Sequence, residues 1–275
     1  MTILEKRSIT GASLVLVITL AIYISYISFI LLILAINILA LLEFYRLFDS
    51  FEILPRRNTG LILSVSLLLT FTLFIIGSSD REILLINIPF AFFIFIKELY
   101  LKAKNPFQNI AFTFLGIIYI TIALCFFINI AFLSPGSHAY HFQAVLGCFF
   151  ILWASDTGAY FAGRYLGRHL LFKRISPKKT WEGSLGGTVC ALLVSYLTSL
   201  YFTEINSVNW IIIALIIVIT GTFGDLIKSL LKRSLNLKDA GTILPGHGGM
   251  LDRFDSLLGS APFVFSYLIL FQYAS

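Results

Sequence analysis

The chain has 275 residues, 58% of them hydrophobic and only 12% charged, with 20 Lys and Arg against 14 Asp and Glu for a net charge of +6. A soluble domain carries about 25% charged residues, so a water-soluble surface is excluded, and the high apolar content excludes disorder. The class that remains is an all-α polytopic membrane protein, in which a basic excess reports topology before it reports nucleic acid.

A spanning helix needs about 20 apolar residues. Ile9 to Phe48 is about twice that length and is interrupted only near its end, by Glu43 and Arg46, which predicts a tight helical hairpin turning near Tyr23 to Ser28. The run is too long for a cleaved signal peptide, and no small-residue cleavage site follows it. Further spans are predicted over Gly60–Gly77, Ile83–Ile96, Asn109–Leu133, Phe142–Gly163, Ser184–Phe202, Trp210–Ile227 and Leu257–Phe271, giving about nine. With the N-terminus cytoplasmic and the C-terminus outside, 19 of the 20 basic residues fall on the inner side, and only Arg81 does not. That is the bias of the positive-inside rule. The expected organisation is a single membrane domain, 1–275, with N-terminal spans over 1–133 and a motif-bearing half over 142–275. Its two large polar segments, Arg164–Gly183 and Lys228–Ser256, both face the cytoplasm.

Cys125, Cys148 and Cys190 lie in apolar runs without metal spacing and read as small buried hydrophobes. His138 and His141 flank a Pro-Gly turn and read as an outer loop rather than a metal site. Two carboxylates lie at membrane depth: Asp156 in the sixth span and Asp225 toward the inner end of the eighth. Such residues face a bundle interior or a wet cavity and mark function, the alternative being an interhelical hydrogen bond. Gly158, Ala159, Ala162, Gly163 and Gly167 are spaced for close helix packing. If the eighth span continues helically, Asp225, Lys228, Ser229 and Lys232 fall at i, i+3, i+4 and i+7. They then carry a polar stripe from membrane depth into the cytoplasm.

The stripe leads into the segment Lys238–Asp255, which is rich in glycine. Gly246, Gly248 and Gly249 allow backbone N–H groups close approach to an anion, with His247 among them. Asp252 and Asp255 follow at i, i+3, on one side of a helical turn at the mouth of the last span. Paired carboxylates beside basic residues suggest Mg²⁺ holding substrate phosphates. The other polar segment, Arg174-Ile-Ser-Pro-Lys-Lys-Thr-Trp-Glu-Gly183, has a turn starting at Ser176-Pro177. It reads either as a basic topology signal attracted to anionic lipid or as an anion cradle for a phosphate-bearing ligand.

The string from Ser229 to Asp255 resembles the signature of the phosphatidate cytidylyltransferase (CDP-diacylglycerol synthase) family. Every fixed position of that pattern is present: Ser229, Lys232-Arg233, Lys238-Asp239, Gly241, Pro245, His247-Gly248-Gly249, Asp252-Arg253 and Asp255. The Ser-Asp-Thr-Gly-Ala-Tyr string around Asp156 and the Ser-Pro-Lys-Lys-Thr-Trp-Glu-Gly string after Ile175 resemble it too. The motif-bearing match runs from about Trp153 to Leu258.

The resemblance implies CTP + phosphatidic acid → CDP-diacylglycerol + pyrophosphate, the first committed step toward bacterial phospholipids. It implies a Mg²⁺ requirement, with one ion or two, and an active site facing the cytoplasm of a bacterial inner membrane. It implies partners that are CTP, phosphatidic acid and membrane lipids rather than nucleic acid, and a homodimer. By it, Asp225 and Asp252 hold the metal, with Asp255 as ligand or support. Lys232, Arg233, Lys238 and Arg253 neutralise the triphosphate and the leaving pyrophosphate, and the turn at Gly246–Gly249 supplies backbone donors. Lys178 and Lys179 are candidates for a phosphate of either substrate, with Ser176, Trp181 and Glu182 supporting that loop and Ser229 and Asp156 completing the substrate site. Asp239 is a ligand or a salt-bridge partner, and His247 a hydrogen-bonding group in preference to a general base. The Asp-Gly…Ala-Arg…Gly…Asp…Asp string of CDP-alcohol phosphotransferases is not found. A transporter is disfavoured because the polar residues cluster at one face and no inverted repeat is visible.

Overall fold

The computed structural model describes residues 3–49, 51–133, 138–237, 241 and 248–272. Among them eight helical stretches are long and apolar enough to cross a membrane. The first predicted span is a further, shorter apolar helix. It is α1, Ile3–Ile24, whose apolar part is Thr10–Ile24. The helical hairpin turns where the sequence places it. Ser25 separates α1 from α2, Tyr26–Arg46, and its hydroxyl accepts from the N–H groups of Ile27 and Ser28 while Ser28 Oγ accepts from Ser25 N–H. This reciprocal cap satisfies the orphan donors of the new helix and lets the chain reverse over one residue.

Helix α3 spans Arg57–Ile75. A 3-10 stretch at Arg81–Ile86 then enters α4, Asn87–Tyr100. The next span is composite: α5, Pro106–Gly116, a π-helical stretch Ile117–Ile122, and α6, Ala123–Ile130. The π stretch carries Thr121, whose hydroxyl donates to Asn37 Oδ1 at 2.9 Å. Asn37 Nδ2 donates to Ser64 Oγ at 2.6 Å, and Ser64 and Thr121 share a 2.8 Å hydrogen bond. This closed ring ties α2, α3 and the composite span with every polar group partnered, as a lipid environment demands.

The second half opens with α7, Phe142–Leu166, followed by a two-stranded antiparallel hairpin of β1, Leu170–Phe172, and β2, Ser176–Thr180. The hairpin is a local departure from the all-helical expectation. Ser176-Pro177 begins a strand rather than a turn, and a two-stranded ribbon tolerates Pro177 because every strand in it is an edge. Helices α8, Trp181–Tyr201, α9, Ser207–Ser234, and α10, Leu251–Tyr267, complete the bundle, α10 running on as a π-helical stretch to Gln272.

Helix α9 continues unbroken for 28 residues, so the polar stripe of Asp225, Lys228, Ser229 and Lys232 does lie on a helix. Two close approaches place it. Between α7 and α8, a Cβ at Gly186 would lie 2.2 Å from Ala162 Cβ, and between α9 and α10 a Cβ at Gly224 would lie 2.7 Å from the Asp255 carbonyl oxygen. Small residues permit backbone contact where lipid supplies no hydrophobic drive. Phe149 of α7 packs on Phe127 of α6 and on Phe254 of α10, with ring centroids 5.4 and 6.5 Å apart.

Candidate active site

The Gly224 contact sets Asp225 beside the first turns of α10, which bear Asp252 and Asp255 one helical turn apart. The three carboxylates meet on one ammonium. Lys228 Nζ lies 3.0 Å from Asp225 Oδ1 and 3.1 Å from Asp252 Oδ1, and donates to Asp255 Oδ2. Lys228 is 4% exposed and Asp255 6%. Asp252 Oδ1 also accepts from Lys232 Nζ at 2.9 Å, and Asp225 Oδ2 pairs with Lys179 Nζ at 2.5 Å. A buried charge is tolerated only when paired and hydrogen-bonded. Each carboxylate here has at least one cation, and Asp255 Oδ1 takes the Ser256 N–H at 2.7 Å as well.

The three carboxylates and Lys179 line a cavity of about 360 Å³ whose wall also includes Asp156, Lys178 and Arg253. Strand β2 delivers the two lysines. Lys179 reaches in to Asp225, and Lys178, its neighbour on the strand, is exposed at the rim. Thr180 then caps α8, accepting the Gly183 N–H at 3.1 Å. A second cavity of about 200 Å³ shares Asp156, Asp252, Arg253 and Asp255, but its remaining wall is largely apolar: Leu14, Val15 and Ile18 of α1 with Phe149 and Trp153 of α7. The charged residues therefore border both spaces, and the second adds an apolar wall to them.

Several predicted residues come together here: Asp225, Asp252, Asp255, Lys232, Lys178, Lys179, Arg253 and Asp156. Gly248 has φ +82°, which favours glycine, and Gly249 N–H points at Asp252 Oδ2 across 3.4 Å. Others sit apart. Trp181, 58% exposed, and Glu182 line a separate hollow with Arg168, His169 and Leu185. The Glu182 carboxylate is committed there, accepting from the Arg168 and His169 N–H groups at 3.0 and 3.2 Å and lying 2.6 Å from His169 Nδ1. It anchors the hairpin instead of facing the cavity. Ser176, Ser229 and Arg233 do not line the cavity, and Arg233 is exposed. Lys238, Asp239, Gly246 and His247 lie outside the described residues.

Lys228 was visible in the sequence only as one member of a stripe. Its contact with all three carboxylates depends on the α9–α10 approach. The wall contributed by α1 had no motif to announce it. Among the described residues no three His, Cys, Asp or Glu side chains are grouped to hold an ion unaided. Asp225 and Asp252 nonetheless face each other across a single cation. Two carboxylates of that kind are the usual protein share of a Mg²⁺ site, whose other ligands are water and substrate phosphates.

The sequence matches the model of the cytidylyltransferase family over residues 5–271. A phosphatidate cytidylyltransferase of Staphylococcus aureus (strain COL) is 37% identical over 236 residues, 85% of this chain and 88% of that protein. One of Bacillus subtilis (strain 168) is 41% identical over 172 residues, 62% of each chain.

Proposed function

Because the chain belongs to the cytidylyltransferase family and is a nucleotidyltransferase, we propose that it moves the cytidylyl group of CTP onto phosphatidic acid. The products are CDP-diacylglycerol and pyrophosphate. The observation that carries this reading is the meeting of Asp225, Asp252 and Asp255 on Lys228, between a cavity rimmed by Lys178, Lys179 and Arg253 and a second one that adds an apolar wall from α1 and α7 to the same charged residues. A triphosphate suits the first space, and the glyceryl and acyl part of a lipid phosphate suits the second.

In the proposed step a phosphate oxygen of phosphatidic acid bonds to the α-phosphorus of CTP, and the bond from that phosphorus to the bridging β-phosphate oxygen breaks. The nucleophile is already ionised at neutral pH, so no Ser or Cys nucleophile is required. What remains is alignment and charge neutralisation. Lys178, Lys179 and Arg253 line the polar cavity where phosphates would sit. Lys232 holds Asp252 in place and adds positive charge for the departing pyrophosphate. Lys228 keeps the three carboxylates together without substrate. Asp225 and Asp252 are the proposed Mg²⁺ ligands, with Asp255 supporting them through Lys228. Bound Mg²⁺ supplies charge neutralisation on the transferring phosphoryl group. The site is proposed to face the cytoplasm of a bacterial inner membrane, because the basic residues sort to that side.

Purified protein in detergent, given CTP, Mg²⁺ and phosphatidic acid, is expected to release pyrophosphate only when the lipid is present. Release that ignores the lipid, or none at all across several acyl compositions and divalent metals, would remove this function.

A further inference from the structure

Helix α2 belongs to the half of the chain without a motif, yet it sends one charged side chain to the edge of the site. Glu43 is 1% exposed. Its Oε2 accepts the N–H of Leu251, the first residue of α10, at 2.8 Å. That helix has no side-chain cap of its own, because Met250 stands at the capping position. The orphan donor at its start is therefore satisfied from another helix, and a carboxylate there also meets the positive end of the helix dipole.

The glycine segment lies against the same carboxylate on both sides of the stretch outside the described residues. A Cβ at Gly249 would sit 2.5 Å from Glu43 Oε2, and one at Gly241 2.7 Å from Oε1. Any larger residue would have to displace backbone or carboxylate. The second oxygen, Oε1, is buried and without a hydrogen-bond partner among the described residues. A buried, half-satisfied carboxylate in a spanning helix is unfavourable for packing alone. Among the described residues its hydrogen bond goes to the segment leading into Asp252. Leu251 precedes Asp252 by one residue and Asp255 by four, on a rigid helix, so its N–H fixes where both carboxylates stand relative to Lys228.

We propose that Glu43 is a positioning residue of the transfer reaction, holding Gly249 and the first turn of α10 so that Asp252 and Asp255 meet Lys228. The proposal rests on the cytidylyltransferase reading above. Its test is the steady-state kinetics of folded E43A and E43Q in detergent, with CTP, phosphatidic acid and Mg²⁺. E43A is expected to lower kcat at least tenfold with KM for both substrates within threefold of wild type. E43Q keeps an oxygen facing the Leu251 N–H and is expected to recover kcat to within threefold. If E43A does not fold, G241A takes its place, since its methyl would push on Oε1, and at least a fivefold loss of kcat is expected.

Wild-type kcat in folded E43A or G241A, or an E43Q no better than E43A, would overturn the proposal. So would a lower melting temperature with unchanged kcat, which would reduce Glu43 to a packing group. A wild type without turnover would overturn the reaction reading and this role together, whereas turnover in the wild type with unchanged kcat in the variants overturns the Glu43 role alone.

Discussion

Lys228 organises the site because it is the one described cation in contact with Asp225, Asp252 and Asp255 at once. Removing a carboxylate and removing the lysine should therefore have different consequences. Asp225→Asn or Asp252→Asn leaves Lys228 with two carboxylates, so each is expected to fold while turnover falls at least a hundredfold. Lys228→Met leaves three acidic groups at the centre without that cation. Truncating one partner of a buried pair costs about 3–5 kcal/mol, so this variant should lose activity and melt well below the other two. Thermal unfolding in detergent, read beside the pyrophosphate assay, separates the cases. Asp225 was legible in the sequence because a carboxylate at membrane depth is costly and so marks function, and Asp252 and Asp255 because they pair at i, i+3 beside basic residues. Lys228 and Glu43 were not, since what they touch lies on other helices and no periodicity along one helix encodes it.

Two helix pairs meet by close backbone contact at glycines, and the Gly224 crossing is where this bears on the site. Gly224→Ala would bring a methyl to 2.7 Å from the Asp255 carbonyl oxygen and 3.0 Å from Gly259 Cα. Overpacking of that kind costs about 1–3 kcal/mol. It should also move Asp225 away from α10, so activity is expected to fall at least tenfold while the protein still inserts and folds. A kcat within twofold of wild type would mean that the crossing does not set the carboxylate geometry. The spans themselves were legible, because length and hydropathy specify a membrane helix almost alone. The hairpin of β1 and β2 was not, since strands of three and five residues carry too little pattern, and Ser-Pro is an ordinary turn signal. Glu182, expected to support that loop, accepts from the Arg168 and His169 N–H groups at its base.

At the scale of the molecule, both halves build the site: α7, β2, α9 and α10 carry its charges, while α1 and α2 supply an apolar wall and the Glu43 contact. The proposed orientation can be checked on whole cells. A cysteine replacing Lys173, between the two strands, should resist an impermeant maleimide until the membrane is opened. One replacing Arg81 should react from outside. Cys125 and Cys148 are buried and Cys190 half-buried, which keeps the background low. Labelling in the reverse order would invert the topology and put the site on the wrong side for cytoplasmic CTP. The transfer itself is tested most directly by the fate of the label. Protein in detergent with phosphatidic acid and Mg²⁺ is given CTP labelled at either the α- or the γ-phosphate, and the lipid phase is extracted. The expected result is α-label in CDP-diacylglycerol, γ-label only in pyrophosphate, and neither product from Asp252→Asn. A lipid phase that stays unlabelled with the wild type, or that takes up the γ-phosphate, would contradict it.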